Sequence, residues 1–173
     1  TMILRKYLTH TSLLMSLLFL AGCFESLEGY KNDIENMQVP RLMMEARGVD
    51  YGGGSSSQVR LPISGTAIKL EREPVVGEYD IINVEMVKVD MGIALMIQVT
   101  DKGSRELYRR SVTHSGSRIV LTCNGQPVGA RRLSGTIDDG RFFTFVEIPD
   151  DELGQFVIDL KASIAELQTH YKY

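Results

Sequence analysis

Arg118-Ile119-Val120-Leu121-Thr122-Cys123-Asn124-Gly125-Gln126-Pro127-Val128 is the stretch from which the fold is read. Residues 118–122 are largely apolar and β-branched, residues 128–133 complete a second strand, and Asn124-Gly125 lies between them. Both members of that pair tolerate positive φ, which is what a two-residue hairpin turn requires. The stretch therefore predicts a tight antiparallel hairpin.

Working outward, Thr100 is placed to cap a helix over residues 101–115, with Leu107, Tyr108 and Val112 as its narrow apolar stripe and Gly116 as its stop. Ahead of it, residues 79–89 alternate and residues 93–99 form a continuous apolar run, joined by the turn residues Asp90-Met91-Gly92 into a second hairpin. Downstream, Asp138-Asp139-Gly140 marks a turn before a strand over residues 142–148. From Pro149-Asp150 onward, Asp150, Asp151 and Glu152 occupy a first helical turn, where the helix dipole favours acid. Leu153, Phe156, Val157, Leu160, Ile164 and Leu167 then recur at spacings of three and four. The expected class is α+β: an antiparallel sheet of about five or six strands with two helices on one face.

The N-terminal part reads differently. Thr1 precedes Met2, which is read as the initiator. Arg5 and Lys6 form a positive region, and Leu13, Leu14, Met15, Leu17, Leu18, Phe19 and Leu20 form an apolar stretch interrupted by Ser16. That stretch falls short of the ~20 apolar residues a spanning helix needs. It ends in Leu20-Ala21-Gly22-Cys23, which resembles the lipobox of bacterial lipoproteins. The resemblance implies that residues 1–22 are a cleaved signal peptide and that Cys23 becomes the lipid-bearing first residue, anchored in the bilayer and facing the periplasm. Phe24 rather than Asp follows it, which favours the outer over the inner membrane. Residues 23–58 are expected to form a lipid-anchored flexible tether ending in Tyr51-Gly52-Gly53-Gly54-Ser55-Ser56-Ser57-Gln58, with a short helix near residues 32–37 and with Leu42, Met43 and Met44 available to dock on a partner. Residues 59–173 are the expected folded domain.

The chain has 19 basic and 22 acidic residues, a formal net charge of −3, and loss of Arg5 and Lys6 makes the mature part more acidic still. Nucleic-acid binding needs clustered positive charge against phosphates, so no nucleic acid is expected. With Cys23 spent on lipid, Cys123 has no partner for a disulfide and is read as a half-buried strand residue.

Residues 95–103, then Gly116-Ser117-Arg118-Ile119-Val120-Leu121-Thr122-Cys123-Asn124-Gly125-Gln126, then Val128-Gly129-Ala130, resemble the head of the first periplasmic domain of the SecD family of protein-export proteins. The family shows a Leu-Thr-x-x-Gly helix start and a Gly-Lys-Arg-Leu-Ala-Ile-Val-Leu-Asp-Gly-Lys hairpin, then Ser-Ala-Pro. The match runs over roughly residues 90–160. Asn124 stands where the family has Asp, Arg131 and Arg132 replace an apolar pair, and the glycine-rich segment after the hairpin is shortened to Ser134-Gly135-Thr136 and Asp138-Asp139-Gly140. The resemblance implies a head-like binding fold and does not extend to the membrane domain in which the family's proton-driven export resides.

The sequence carries no Gly-x-Ser-x-Gly elbow, phosphate loop or paired Cys/His metal spacing, so neither catalysis, cofactor nor metal is expected. His114 is read as a cation at a helix end, and Asp138-Asp139 as turn formers. The candidate partner-binding residues are Arg131 and Arg132 on a strand, with Arg105 and Arg109 on the first helix, because forked guanidinium groups suit acidic surfaces. Two functions fit: a non-catalytic protein-binding module in envelope quality control or export, and an immunity or inhibitor lipoprotein that neutralises a periplasm-acting toxin or hydrolase.

Overall fold

The computed structural model of the chain describes residues 37–48 and 57–171. The leader, Cys23, the 32–36 part of the expected short helix and the glycine run at 52–54 lie outside the described residues. The elements are β1 (Pro40–Glu45), β2 (Ser57–Arg60), β3 (Ala67–Val76), a single 3-10 turn (Glu78–Asp80), β4 (Ile81–Val89), β5 (Gly92–Val99), α1 (Asp101–Thr113), β6 (Arg118–Cys123), β7 (Gln126–Arg132), β8 (Arg141–Thr144) and α2 (Asp150–Tyr171). The class is α+β with antiparallel pairing, and the strands divide into two sheets, ordered β2-β3-β1-β6-β7 and β4-β5-β8.

One expectation is corrected. Residues 40–45, read as tether, form β1 at the centre of the larger sheet, paired on one side with β3 and on the other with β6. Leu42 and Met44 are 0% exposed, so they are core residues of this domain and are not available to a partner. The folded unit accordingly starts at Gln38 and not at Val59.

The predicted hairpin turn is present, with Asn124 at φ 52° and Gly125 at φ 78°. Asn124 also grips the chain ahead of β1: its Oδ1 accepts from Val39 N at 2.8 Å, and its own N donates to Val39 O at 3.0 Å. β3 is bulged where it meets β1, so residues 70–76 take up only the length of residues 42–45. Such bulges bend a strand sharply. Pro74 is tolerated there because β2 pairs only with residues 67–70, leaving that stretch of β3 open on one side. Alternate residues of β1 and β6 feed two apolar clusters on opposite faces of the larger sheet. One is the main core, which includes Leu42, Met44, Ile119, Leu121, Phe142 and Leu160, and the other holds Leu61, Ile68, Leu70 and Val120.

α1 starts as expected at Thr100, whose side chain accepts from Gly103 N at 3.2 Å and donates to Asp80 at 2.9 Å. α2 lies along β4 and buries Leu153, Val157, Leu160, Ile164 and Leu167. Each such residue contributes roughly 1.5–3 kcal/mol of burial.

The sheets are joined beyond β8. Val146 bridges to Gly129 of β7, and Glu147 N donates to Val128 O at 2.7 Å. The Glu147 carboxylate then accepts from Ile63 N and Ser64 N, each at 2.8 Å, fastening the β2–β3 turn to the same place. The approach is so close that a Cβ on Gly129 would lie 2.3 Å from Phe145 O.

Gly129→Ala is therefore expected to destabilise the domain by about 1–3 kcal/mol or more, since backbone must move. Gly154→Ala, on α2 with nothing within 4 Å of its added Cβ, is expected to stabilise it by roughly 0.5–1 kcal/mol. Urea midpoints of the two variants measure both effects. A second expectation concerns the boundary: a fragment starting at Val59 fails to give a cooperative melt, whereas one starting at Gln38 melts like the full chain.

Candidate functional site

Access and unfilled bonding capacity coincide along β4. Among the described residues it has β5 on one side and no strand on the other. A bulge between Ile81 and Asn83 ends regular pairing at its start. The two-residue turn Asp90-Met91 closes on the pair Val89 and Gly92 at its end. A turn of that length closes on a hydrogen-bonded pair, so alternation along the ladder directs the N–H and C=O groups of Met86 and Lys88 away from β5, to the open side. Val84 N is already taken by Asn83 Oδ1 at 2.9 Å.

The side chains at this end are apolar and exposed. Met86 opposes Leu95 and Lys88 opposes Ile93, so these four share one face. Leu95 is 0% exposed, whereas Met86 is 47%, Ile93 49% and Met91 at the turn 82% exposed. The apolar face of the hairpin thus runs on past the core into solvent. Methionine fits such a role because its flexible thioether adapts to varied partners. The alternation of this strand was visible in the sequence, but its edge position was not, since edge status depends on which strands pair elsewhere.

The sequence-predicted arginines are not brought into one group. Arg131 and Arg132 end β7, where Arg131 Nη1 donates to Phe143 O at 3.1 Å and Arg132 Nη1 to Gly116 O at 2.5 Å. Arg105 and Arg109 are exposed on α1, and Arg109 pairs with Glu106 one turn away at 2.5 Å. Sequence reasoning missed Arg47, which lies in the segment read as tether. Its guanidinium donates to Ser117 Oγ at 2.5 Å and to the carbonyls of Thr113 and Ser115.

The remaining titratable groups are accounted for structurally. Cys123 is a free thiol, 5% exposed, and burial pushes its pKa up to about 12, so it is a poor nucleophile. Asp139 holds Arg141 in the turn before β8. His114 caps α1 through its N–H to Arg110 O and lies 3.7 Å from Glu71. Among the described residues no group of three His, Cys, Asp or Glu is placed to hold a metal, and no helix is long and apolar enough to cross a membrane.

Three carboxylates of the described residues are held below the ordinary glutamate range. In Glu147 burial opposes this and is outweighed by the bonds from Ser64 and Ile63. Glu45 receives two bonds from the Arg118 guanidinium, at 3.1 and 2.5 Å, and one from Arg118 N, with Arg132 adding attraction. Glu78 receives a bidentate pair from Arg41 at 2.7 and 3.0 Å.

No family model matches the chain, and no curated protein matches it significantly. Solved structures do resemble it. A structure of SecDF, a membrane component that enhances protein export, is 13% identical with a TM-score of 0.53, covering 79% of this chain and 67% of that one. SecDF in a super-membrane-facing form is 14% identical with a TM-score of 0.53, covering 72% of this chain and 19% of that one. At these identities the likeness is one of fold: the chain has a SecD-like domain fold.

Because Glu45 and Glu78 have folded pKa values below the ordinary 4.5, their contribution to stability is present above that value and is lost as pH falls through the folded values. The thermal midpoint is expected to hold down to about pH 5 and to drop below it, with a shallower drop in Glu45→Gln. A midpoint that instead declined between pH 5 and 7 contradicts this assignment.

Proposed function

We propose that this chain is the precursor of a lipid-anchored, non-catalytic protein-binding module of the bacterial cell envelope, held through Cys23 with its domain in the periplasm, which takes up extended polypeptide along the open edge of β4. The observation that carries this reading is the edge itself, with outward backbone groups beside exposed Met86 and Ile93. An extended segment added there gains main-chain hydrogen bonds from β4 and side-chain contacts from the exposed apolar residues.

Magnitudes decide how such a contact behaves. Met86 and Lys88 offer about four hydrogen bonds at a net ~1 kcal/mol each, which alone gives only about millimolar affinity. Apolar contacts with Met86, Met91 and Ile93 are needed to reach the micromolar range. Binding is then weak, rapid and tolerant of sequence, as suits passage of unfolded chains. The SecD-like fold supports a role in export or envelope quality control, and Phe24 after Cys23 supports the outer membrane as the resting place.

The test is titration of the full chain with a permanently unfolded, reduced and carboxymethylated polypeptide. Saturable binding is expected, falling at least about tenfold in Met86→Pro, which removes an outward N–H that the β4–β5 ladder does not use. A far-UV circular dichroism check shows whether that variant folds. Absence of saturable binding defeats the reading. Capture of one discrete partner, unaffected by Met86→Pro, favours an immunity or inhibitor lipoprotein instead. Cys23→Ser is expected to abolish incorporation of a labelled fatty acid in the host.

A further inference from the structure

Arg118 and Arg132 face each other directly across the β6–β7 ladder. Like charges in that position destabilise a sheet unless something offsets them. Glu45 supplies a single negative charge to the pair, bonded to Arg118 and attracting Arg132. Arg47, two residues beyond Glu45, comes to the same place, since it and Arg132 both donate to the turn at residues 113–117 that ends α1. Carbonyl and hydroxyl partners satisfy guanidinium N–H groups but leave the charge in place. The C-terminus of α1 supplies only about half a negative charge. Three guanidinium groups thus meet one carboxylate and one helix end, and more than one positive charge stays uncompensated on a rigidly held surface.

We propose that Arg47, Arg118 and Arg132 form a docking site for a carboxylate-rich segment of a protein partner, separate from the β4 edge. The planar groups of Arg47 and Arg132 suit paired carboxylate oxygens, and their bonds to the turn after α1, with Arg118 held by Glu45, fix the cluster in advance, so little side-chain entropy is lost on docking. A bilayer surface fits less well. β1 runs ~17 Å from Pro40 to Glu45, and on the reading that Cys23 carries the anchor, the cluster lies at the end of β1 away from the point where the anchored segment joins.

The experiment uses the full chain and a labelled oligoglutamate peptide, followed by fluorescence anisotropy, with phosphatidylglycerol vesicles and inorganic phosphate as competing probes. Saturable binding is expected, weakening at least about tenfold in Arg47→Gln and in Arg132→Gln and falling with added salt. Lys161→Gln, an exposed cation on α2, is expected to leave binding unchanged. The thermal midpoint without peptide separates this role from a merely capping one: relief of the like-charge pair leaves Arg132→Gln as stable as the parent or more so. Absence of saturable binding overturns the proposal. So does equal weakening in Lys161→Gln, or a midpoint drop in Arg132→Gln with binding intact. Preference of the cluster for the vesicles or for phosphate over the peptide overturns it as well. Loss of oligoglutamate binding in these variants with uptake of unfolded polypeptide intact would distinguish this site from the β4 edge.

Discussion

The rest of the larger sheet depends on β1 lying between β3 and β6. Its backbone bonds on both sides, Leu42 and Met44 enter the main core, and Met43 packs on the small cluster of the opposite face. Without it, β2–β3 and β6–β7 are two hairpins with nothing between them, and a lone hairpin is marginal in water. The bulges in β3 and the grip of Asn124 on Val39 both serve to seat this one strand.

The smaller sheet is fixed to the larger by contact at close range rather than by shared pairing along whole strands. Absence of a side chain at Gly129 lets the chain after β8 lie against β7, and Glu147 ties the β2–β3 turn to it. These bonds, with α2 packed along β4, fix one end of the β4–β5 hairpin while its turn remains in solvent. The edge is thus held at its base, where Gln168 of α2 donates to Ile81 O, and open only toward the turn, at Met86 and Lys88.

Much of this was legible in the sequence and some of it was not, for identifiable reasons. The hairpin turn at Asn124-Gly125, the Thr100 cap and the apolar spacing of α2 rest on local chemistry, and all three are present. β1 was missed because Leu42, Met43 and Met44 are apolar in succession: half-buried Met43 packs on the cluster of the opposite face, and the run of three hides the alternation that announces a strand. It also stands between charged residues and a glycine-serine run, which reads as tether. The division into two sheets depends on pairing between distant segments and leaves no local mark. Gly129 was quoted as part of a familiar run, but the reason for it, the backbone of Phe145, comes from residues far along the chain. Arg47 went unnoticed for the same reason as β1, and the arginines that were singled out are spread over two elements.

The position of β1 also governs when this protein can fold. Its partner β6 is synthesised some 80 residues later, Leu42 pairing with Leu121, and pairings so distant in sequence form slowly because the intervening loop must close first. A chain emerging from the N-terminus onward cannot complete the larger sheet until the β6–β7 hairpin is available. On the proposed reading of the chain as an exported precursor, this delay would keep it in a translocation-competent state until most of its length has been made. The topology thus supplies a timer.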